Sequence, residues 1–91
     1  MNRQQYDRAI ANFSKVIELK PDFADAYNLR GIALVLKKNY AQAVADFDRV
    51  IRLVPNNAAA YYVRGLCYQE LGDGARAQAD IAKAKELGYK G

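Results

Sequence analysis

The chain repeats itself at a shift of 34 residues, and this internal repeat constrains the fold more than any other feature of the sequence. A period of this length is typical of stacked supersecondary units, each of which is unable to bury its apolar face alone. The sequence therefore predicts an array whose neighbouring units share one continuous core. Identical residues meet under the shift at Pro21 and Pro55, Tyr27 and Tyr61, Arg30 and Arg64, Gly31 and Gly65, and Ala43 and Ala77.

Apolar residues within a unit recur at the i, i+3, i+4 and i+7 intervals of an amphipathic helix. One such series runs from Tyr27 through Gly31 to Leu34, and a second begins at Tyr40 and continues to Ile51. Each unit is therefore predicted to contain two antiparallel helices. The predicted helices span residues 3–20, 23–37, 40–53, 57–71 and 75–87.

Turn-forming residues separate the predicted helices. Residues 37–39 and 72–74 follow the first helix of each unit, and a Gly or Asn in each turn tolerates the left-handed conformation that ends a helix. Pro55 disfavours helix at the residue before it, and Asn56 or Asn57 is placed to cap the helix that follows.

Small residues are predicted to let the two helices of a unit approach closely. Gly31 and Gly65 lie on the first helices, and Ala43 and Ala77 lie on the second. Aromatic side chains would fill the space beside these contacts. Replacement of Ala43 by Leu is expected to overpack the contact at a cost of about 1 to 3 kcal/mol.

Each repeated arginine stands 16 residues before an aspartate, and the shift preserves this spacing. We predict that Arg30 pairs with Asp46, and Arg64 with Asp80, across the two helices of one unit. The alternative is an exposed basic stripe that recruits acidic partners. The paired arrangement is favoured because an internal ion pair requires a preserved spacing between its partners.

The composition is that of an ordinary globular domain, with 52% hydrophobic and 26% charged residues. No stretch approaches the roughly 18 apolar residues of a membrane span, and the first residues lead into no apolar signal core. A cytoplasmic location without membrane association is therefore expected. The net charge of +4 is dispersed along the chain, so nucleic acid is not an expected partner.

The residue types present argue against catalysis and cofactor binding. The chain has no histidine, and its single cysteine, Cys67, lies in an apolar helical stretch where a small buried filler is expected. Residues 72–74 lack the spacing of a phosphate loop and join two helices without a preceding strand. We therefore expect no enzymatic activity, no metal and no cofactor.

The motif Ala-x-Ala-Tyr-x-x-x-Gly, followed by Tyr-x-x-Ala-x-x-x-Phe and then Pro, resembles the tetratricopeptide repeat over nearly the whole chain. Residues 24–57 resemble one full repeat, residues 58–91 a second that fades after Leu87 and includes the C-terminal end, and residues 1–23 the second helix of a partial repeat. The resemblance implies an all-α fold of antiparallel helix-turn-helix repeats stacked as a right-handed α-solenoid. It also implies a scaffold that binds peptides or protein segments along its concave face.

In the resembled family, the first helix of each repeat lines this concave groove. Asn28 and Tyr62 are the expected polar and aromatic contacts, while Leu29 and Val63 could equally pack against neighbouring helices. A groove centred on Ile32, Tyr62 and Leu66 favours an extended or helical segment with apolar anchors. By register, the groove residues are Asp25, Asn28, Leu29, Ile32, Leu36, Ala59, Tyr62, Val63, Leu66, Gln69 and Glu70.

Some family members grip the C-terminal carboxylate of a peptide with Lys, Asn and Arg at defined groove positions. By register, these positions hold Asn28, Ile32, Val63 and Ala59 here, so only the Asn is retained. A carboxylate clamp of this kind is therefore not expected.

The two ends of the array are predicted to differ. The last helix becomes polar, since Gln78 replaces Val44 and Lys85 replaces Ile51 under the shift, as expected where a stack ends. The first helix keeps large apolar residues although the helix that should cover it is absent. Either the chain is part of a longer array, or this face drives homo-oligomerisation or helix exchange. The predicted self-association residues are Tyr6, Ile10, Phe13 and Ile17.

Overall fold

The computed structural model describes residues 3–90, which form five α-helices. Each helix packs against the next along the chain, so that helix-turn-helix units stack side by side in an array 33 × 26 × 19 Å in extent. The expected all-α fold class is confirmed. The helices are α1 (Arg3–Leu19), α2 (Ala24–Leu36), α3 (Tyr40–Leu53), α4 (Ala58–Glu70) and α5 (Gly74–Glu86).

The observed helix ends lie within one residue of the predicted ones. This agreement follows from strong local signals at most of the ends. Asn57 caps α4, because its side chain accepts a hydrogen bond of 3.1 Å from the Ala60 amide. Asp73 caps α5 in the same way, because its side chain accepts a hydrogen bond of 3.2 Å from the amide of Arg76. The division of the chain into a half repeat and two full repeats stays a prediction.

The turns after α2 and α4 have the same backbone path. In the first, Lys38 has a φ of 65° and the Asn39 amide donates to the Leu34 carbonyl at 2.8 Å. In the second, Gly72 has a φ of 82° and the Asp73 amide donates to Tyr68 at 2.9 Å. Both are Schellman turns.

The left-handed residue in the first turn is Lys38, although Asn39 is the residue type that tolerates this conformation. The prediction that a Gly or Asn would stop the helix is therefore wrong in this turn and right in the second. Because the two turns have the same length, the residue with positive φ falls one position before Asn39. The Asn39 side chain instead donates to the side-chain oxygen Oε1 of Gln42 at 2.7 Å.

The core lies between the helices of each unit and continues from one unit to the next. Phe47 and Val50 of α3 are at most 1% exposed, and they pack with Tyr27 and Leu34 of α2. A Cβ atom placed on Gly31 would lie 3.0 Å from the Phe47 ring. The predicted close approach of the two helices at the small residues is thus confirmed.

Cys67 is buried in α4 and joins this core, as expected for a small apolar filler. Burial raises the pKa of its thiol to about 11, and the nearby charge of Glu70 acts in the same direction. The thiol is therefore protonated and poorly nucleophilic near neutral pH. None of the helices in residues 3–90 is long and apolar enough to cross a bilayer.

Candidate protein-binding surface

One face of α2 carries large apolar side chains that the fold leaves in solvent. Leu29, Ile32 and Leu36 are 45%, 40% and 52% exposed, respectively. Their spacing places them on one side of the helix, whereas Tyr27 and Leu34 point into the core from another side. The exposed side chains therefore form a row and are not scattered over the surface.

The corresponding face of α4 lies beside α2. Val35 of α2 and Leu66 of α4 line the same depression of about 240 Å³, so the surfaces of the two helices meet there. Leu66 is 37% exposed. We call the exposed row of α2 together with this depression the α2–α4 groove, and Leu36 at its end also borders Arg3 and Tyr6 of α1. The residues of the groove are Leu29, Ile32, Val35, Leu36, Val63, Leu66, Gln69 and Glu70.

The predicted groove residues differ in their burial. Leu29 is exposed, whereas Val63 is half-buried and packs against the core cluster. Asn28 is half-buried. The remaining polar and small positions are exposed, namely Asp25, Ala59, Gln69 and Glu70.

Tyr62 lies on the side of the α2–α4 groove that is nearest to α5, and its ring stacks on the ring of Tyr89. The two ring centroids are 4.5 Å apart and the ring planes differ by 27°. Both rings line a second depression of about 460 Å³, together with Leu66 and Lys85. Part of the Tyr62 ring is therefore covered by the chain itself.

Sequence reasoning missed Tyr89 because the repeat fades after Leu87. Gly88 has a φ of 99° and turns the chain back, while the Tyr89 amide donates to the Ala84 carbonyl at 2.9 Å. The residue after a left-handed glycine commonly makes an apolar contact with the helix that has just ended. An aromatic residue directly after Gly88 was the available signal.

Both predicted ion pairs are present and bidentate. Arg30 donates to the two carboxylate oxygens of Asp46 at 2.9 and 2.7 Å. Arg64 donates to those of Asp80 at 2.8 and 2.7 Å. Because both aspartates are buried, these arginines support the fold, and the alternative of an exposed basic stripe is wrong for them.

Each arginine also makes a third contact that sequence reasoning did not predict. Arg64 donates at 2.8 Å to Asp48 of the preceding unit, and Arg30 donates at 3.1 Å to the hydroxyl of Ser14 in α1. The hydrogen bonds to Asp80 and Asp48 raise the pKa of Arg64, while burial opposes the shift. The guanidinium therefore stays charged while it holds two successive units together.

The apolar face of α1 is not as bare as expected. Tyr6, Ile10, Phe13 and Ile17 are all half-buried, and Ile10 and Ile17 pack against the core cluster. The expectation that the whole face is uncovered is corrected, because α2 covers one side of it. The self-association role of these residues stays a prediction.

These features define a helical-repeat protein with an exposed apolar groove on the first helices of its units. More particularly, the chain belongs to the tetratricopeptide repeat family, whose family model matches residues 1–58 and again residues 37–88. The sequence has no significant match among curated proteins.

Solved structures similar to the chain have the same arrangement of helices. MamA AMB-1 is 27% identical with a TM-score of 0.88, and the match covers 96% of this chain and 49% of MamA. A structure of MamA from residue 41 to the end, from Desulfovibrio magneticus RS-1, is 30% identical with a TM-score of 0.88. This match covers 93% of this chain and 48% of that one. The chain thus spans about half the length of these proteins.

A third similar structure contains a bound peptide. The first TPR of Spaghetti (RPAP3), bound to the HSP90 peptide SRMEEVD, is 26% identical with a TM-score of 0.89. The match covers 94% of this chain and 68% of that one.

Proposed function

We propose that the chain is a protein-interaction scaffold that binds a peptide or protein segment along the α2–α4 groove, without catalysing a reaction. The observation that carries this proposal is the exposed row of Leu29, Ile32 and Leu36 on α2 beside Leu66 on α4. Contiguous exposed apolar side chains mark interaction sites on soluble domains. Membership of the tetratricopeptide repeat family and the peptide bound to the RPAP3 domain support it.

The groove favours a segment with apolar anchor residues. Burial of the anchors against Ile32 and Leu66 would contribute about 25 cal/mol per Å² before the costs of association. Asn28 offers both a donor and an acceptor for the main chain of the segment. The exposed Gln69 and Glu70 would form a polar rim beside the apolar floor.

The acidic peptide SRMEEVD is not the expected ligand class. The family positions that grip a terminal carboxylate hold Asn28, Ile32, Val63 and Ala59, and three of these four side chains are apolar. An apolar side chain cannot compensate the carboxylate for its lost water. We expect no saturable binding of this peptide at concentrations that saturate the RPAP3 domain.

A library of random 12-residue peptides displayed on phage tests the proposal. Selection on the wild-type chain is expected to enrich peptides with two or more large apolar residues. An Ile32→Asp, Leu66→Asp double variant is expected to lose the selected peptides, because it places charges on the floor of the groove. Circular dichroism would show whether the double variant keeps its helices.

The matched control is Leu19→Asp, which changes an apolar residue that is 82% exposed at the end of α1. This variant should keep the selected peptides. Selected peptides that bind the groove variant as tightly as wild type would place the site elsewhere. Failure to select any apolar peptide would contradict the proposal as a whole.

A further inference from the structure

One face of α1 is only half-buried, although the same three positions are fully buried in α3 and two of the three are fully buried in α5. Ala43 and Phe47 of α3 are 0% exposed, and Val50 is 1% exposed. In α5, Ala77 and Ala84 are 0% exposed. The α1 counterparts under the 34-residue shift are Ala9, Phe13 and Val16, and each of them is half-buried.

The complete units show what occupies this face. In each unit, the first helix lies on the second, with its glycine at the crossing point. A Cβ atom on Gly31 would lie 3.0 Å from Phe47, and one on Gly65 would lie 3.0 Å from Ile81, the counterpart of Phe47. Within residues 3–90, α1 packs mainly on α2, and no helix lies on it as α2 lies on α3.

We propose that the face formed by Ala9, Phe13 and Val16 binds a single amphipathic helix of a partner polypeptide. The partner helix carries an aromatic residue, a glycine four positions later, and a large apolar or aromatic residue three positions after the glycine. This pattern is the one that α2 and α4 present to their own units, as Tyr27, Gly31 and Leu34, and as Tyr61, Gly65 and Tyr68. The site is separate from the α2–α4 groove.

The polar residue on this face argues for a partner other than a second copy of the chain. Asp46 and Asp80 pair with an arginine that directly precedes the glycine of the covering helix. The counterpart of these aspartates in α1 is Asn12, which has no charge. An arginine of α2 or α4 from another copy would therefore lose its ion pair at this position. A neutral amide before the glycine fits Asn12 better.

The probe is a synthetic peptide with the sequence of residues 56–71, carrying Arg64→Gln to match Asn12 and Cys67→Ser to prevent oxidation. Calorimetric titration into the full chain is expected to show saturable binding of one peptide per chain. A second peptide that also carries Gly65→Leu should bind at least about tenfold more weakly, because its side chain would overlap Phe13.

Two variants of the chain locate the site. Phe13→Asp should abolish peptide binding, and Ala9→Leu, which adds bulk without removing any apolar contact, should weaken it. The groove variant Ile32→Asp, Leu66→Asp should bind the peptide as wild type does. Peptide binding to the α1 face and phage-peptide binding to the groove can thus fail independently.

The absence of a charge on Asn12 is tested by a separate variant. Asn12→Asp should strengthen binding of the peptide that keeps Arg64 relative to the peptide with Gln, and 1 M NaCl should reduce this gain. Absence of binding, or binding that survives both Phe13→Asp and Ala9→Leu, would overturn the proposal. So would a wild-type dimer in light scattering that Phe13→Asp converts to monomer, because a second copy would then occupy the face.

Discussion

Arg64 holds Asp80 through two parallel hydrogen bonds of 2.8 and 2.7 Å, although the two residues lie on different helices and 16 positions apart. The side chains are 19% and 9% exposed, so the pair is largely removed from water. Loss of one partner would leave the other charge buried without compensation, which is costly even when the intact pair contributes little.

We expect Arg64→Met to lower the free energy of unfolding by about 1 to 3 kcal/mol. The effect should exceed that of Arg30→Met, because Arg64 also compensates the charge of Asp48, whereas the third bond of Arg30 goes to the neutral Ser14. Urea denaturation followed by circular dichroism measures both values. Equal losses for the two variants would show that the bond to Asp48 contributes nothing measurable.

The left-handed turn at Lys38 offers a stabilising substitution. A residue with a Cβ atom costs about 1 to 2 kcal/mol in this conformation, and glycine avoids the cost. Lys38→Gly should therefore raise the free energy of unfolding by about 1 kcal/mol, after allowance for the greater freedom of glycine in the unfolded chain.

Gly72→Ala is the reciprocal control, since it places a Cβ atom at the equivalent position of the second turn, where φ is 82°. It should lower the free energy of unfolding by a similar amount. Nothing lies within 4 Å of a Cβ atom there, so the effect would come from the backbone alone. No stabilisation by Lys38→Gly in thermal unfolding would contradict this reading of the turn.

The two glycines at the helix crossings should differ in their tolerance of alanine. At Gly65, a Cβ atom would meet the carbonyl oxygen of Ala77 at 3.1 Å, and this backbone atom cannot move without shifting α5. At Gly31, the nearest atoms belong to the ring of Phe47, which is able to turn slightly.

Gly65→Ala should therefore destabilise the chain by about 1 to 3 kcal/mol, and Gly31→Ala by less. Alanine favours the helix by about 1 kcal/mol at both positions, so the difference between the variants reports the contact. Parallel urea titrations provide the comparison. A larger loss at Gly31 would mean that the Phe47 ring is the more rigid neighbour.

The buried thiol of Cys67 gives a prediction about pH. Its pKa is about 11 in the folded chain and 9.0 when unperturbed, so the folded state retains the proton over this range. Stability should thus fall as the pH rises from 9 towards 11, because only the unfolded chain releases the proton. The difference in pH slope between wild type and Cys67→Ala isolates this group from nearby Tyr68.

Alkylation provides an independent check on the same group. At pH 8, iodoacetamide should leave the folded chain unmodified and should react fully in urea, since the thiolate is the nucleophile. Rapid alkylation of the folded chain would show that the α4 core opens readily.

The helices, the bidentate pairs and the crossing glycines could be predicted because each depends on residues of the repeated pattern. Position 46 was predictable from position 30 because the same interval joins Arg64 to Asp80. The contacts of Arg64 with Asp48 and of Arg30 with Ser14 were missed because they join two successive units. In addition, Asp48 is a carboxylate and Ser14 is not, so the two contacts do not share one residue pattern.

The candidate site was less predictable than the fold. The periodicity alone could not decide that Leu29 faces solvent while Val63 packs on the core. Both positions lie at the border between the solvent-facing side and the core-facing side of their helices. The cover of Tyr62 by Tyr89 was missed because it arises in a turn outside the repeat. The face of α1 was expected to be bare because sequence comparison cannot measure how much of a helix its neighbour protects.

The third acceptor of the arginine is the carboxylate of Asp48 at the α3–α4 junction and the hydroxyl of Ser14 at the α1–α2 junction. This difference has a consequence for the cooperativity of folding. In a linear array, neighbouring units stay folded together only as firmly as the contacts between them allow. Arg64 ties α4 and α5 to α3 through a charged acceptor, whereas Arg30 reaches α1 through the neutral Ser14. An ion pair also joins α1 to α2, since Lys37 bonds Asp7, but Asp7 is more exposed than Asp48. Salt should therefore weaken the α1–α2 junction more than the α3–α4 junction, and local opening is expected to start at α1 while the remaining helices stay closed.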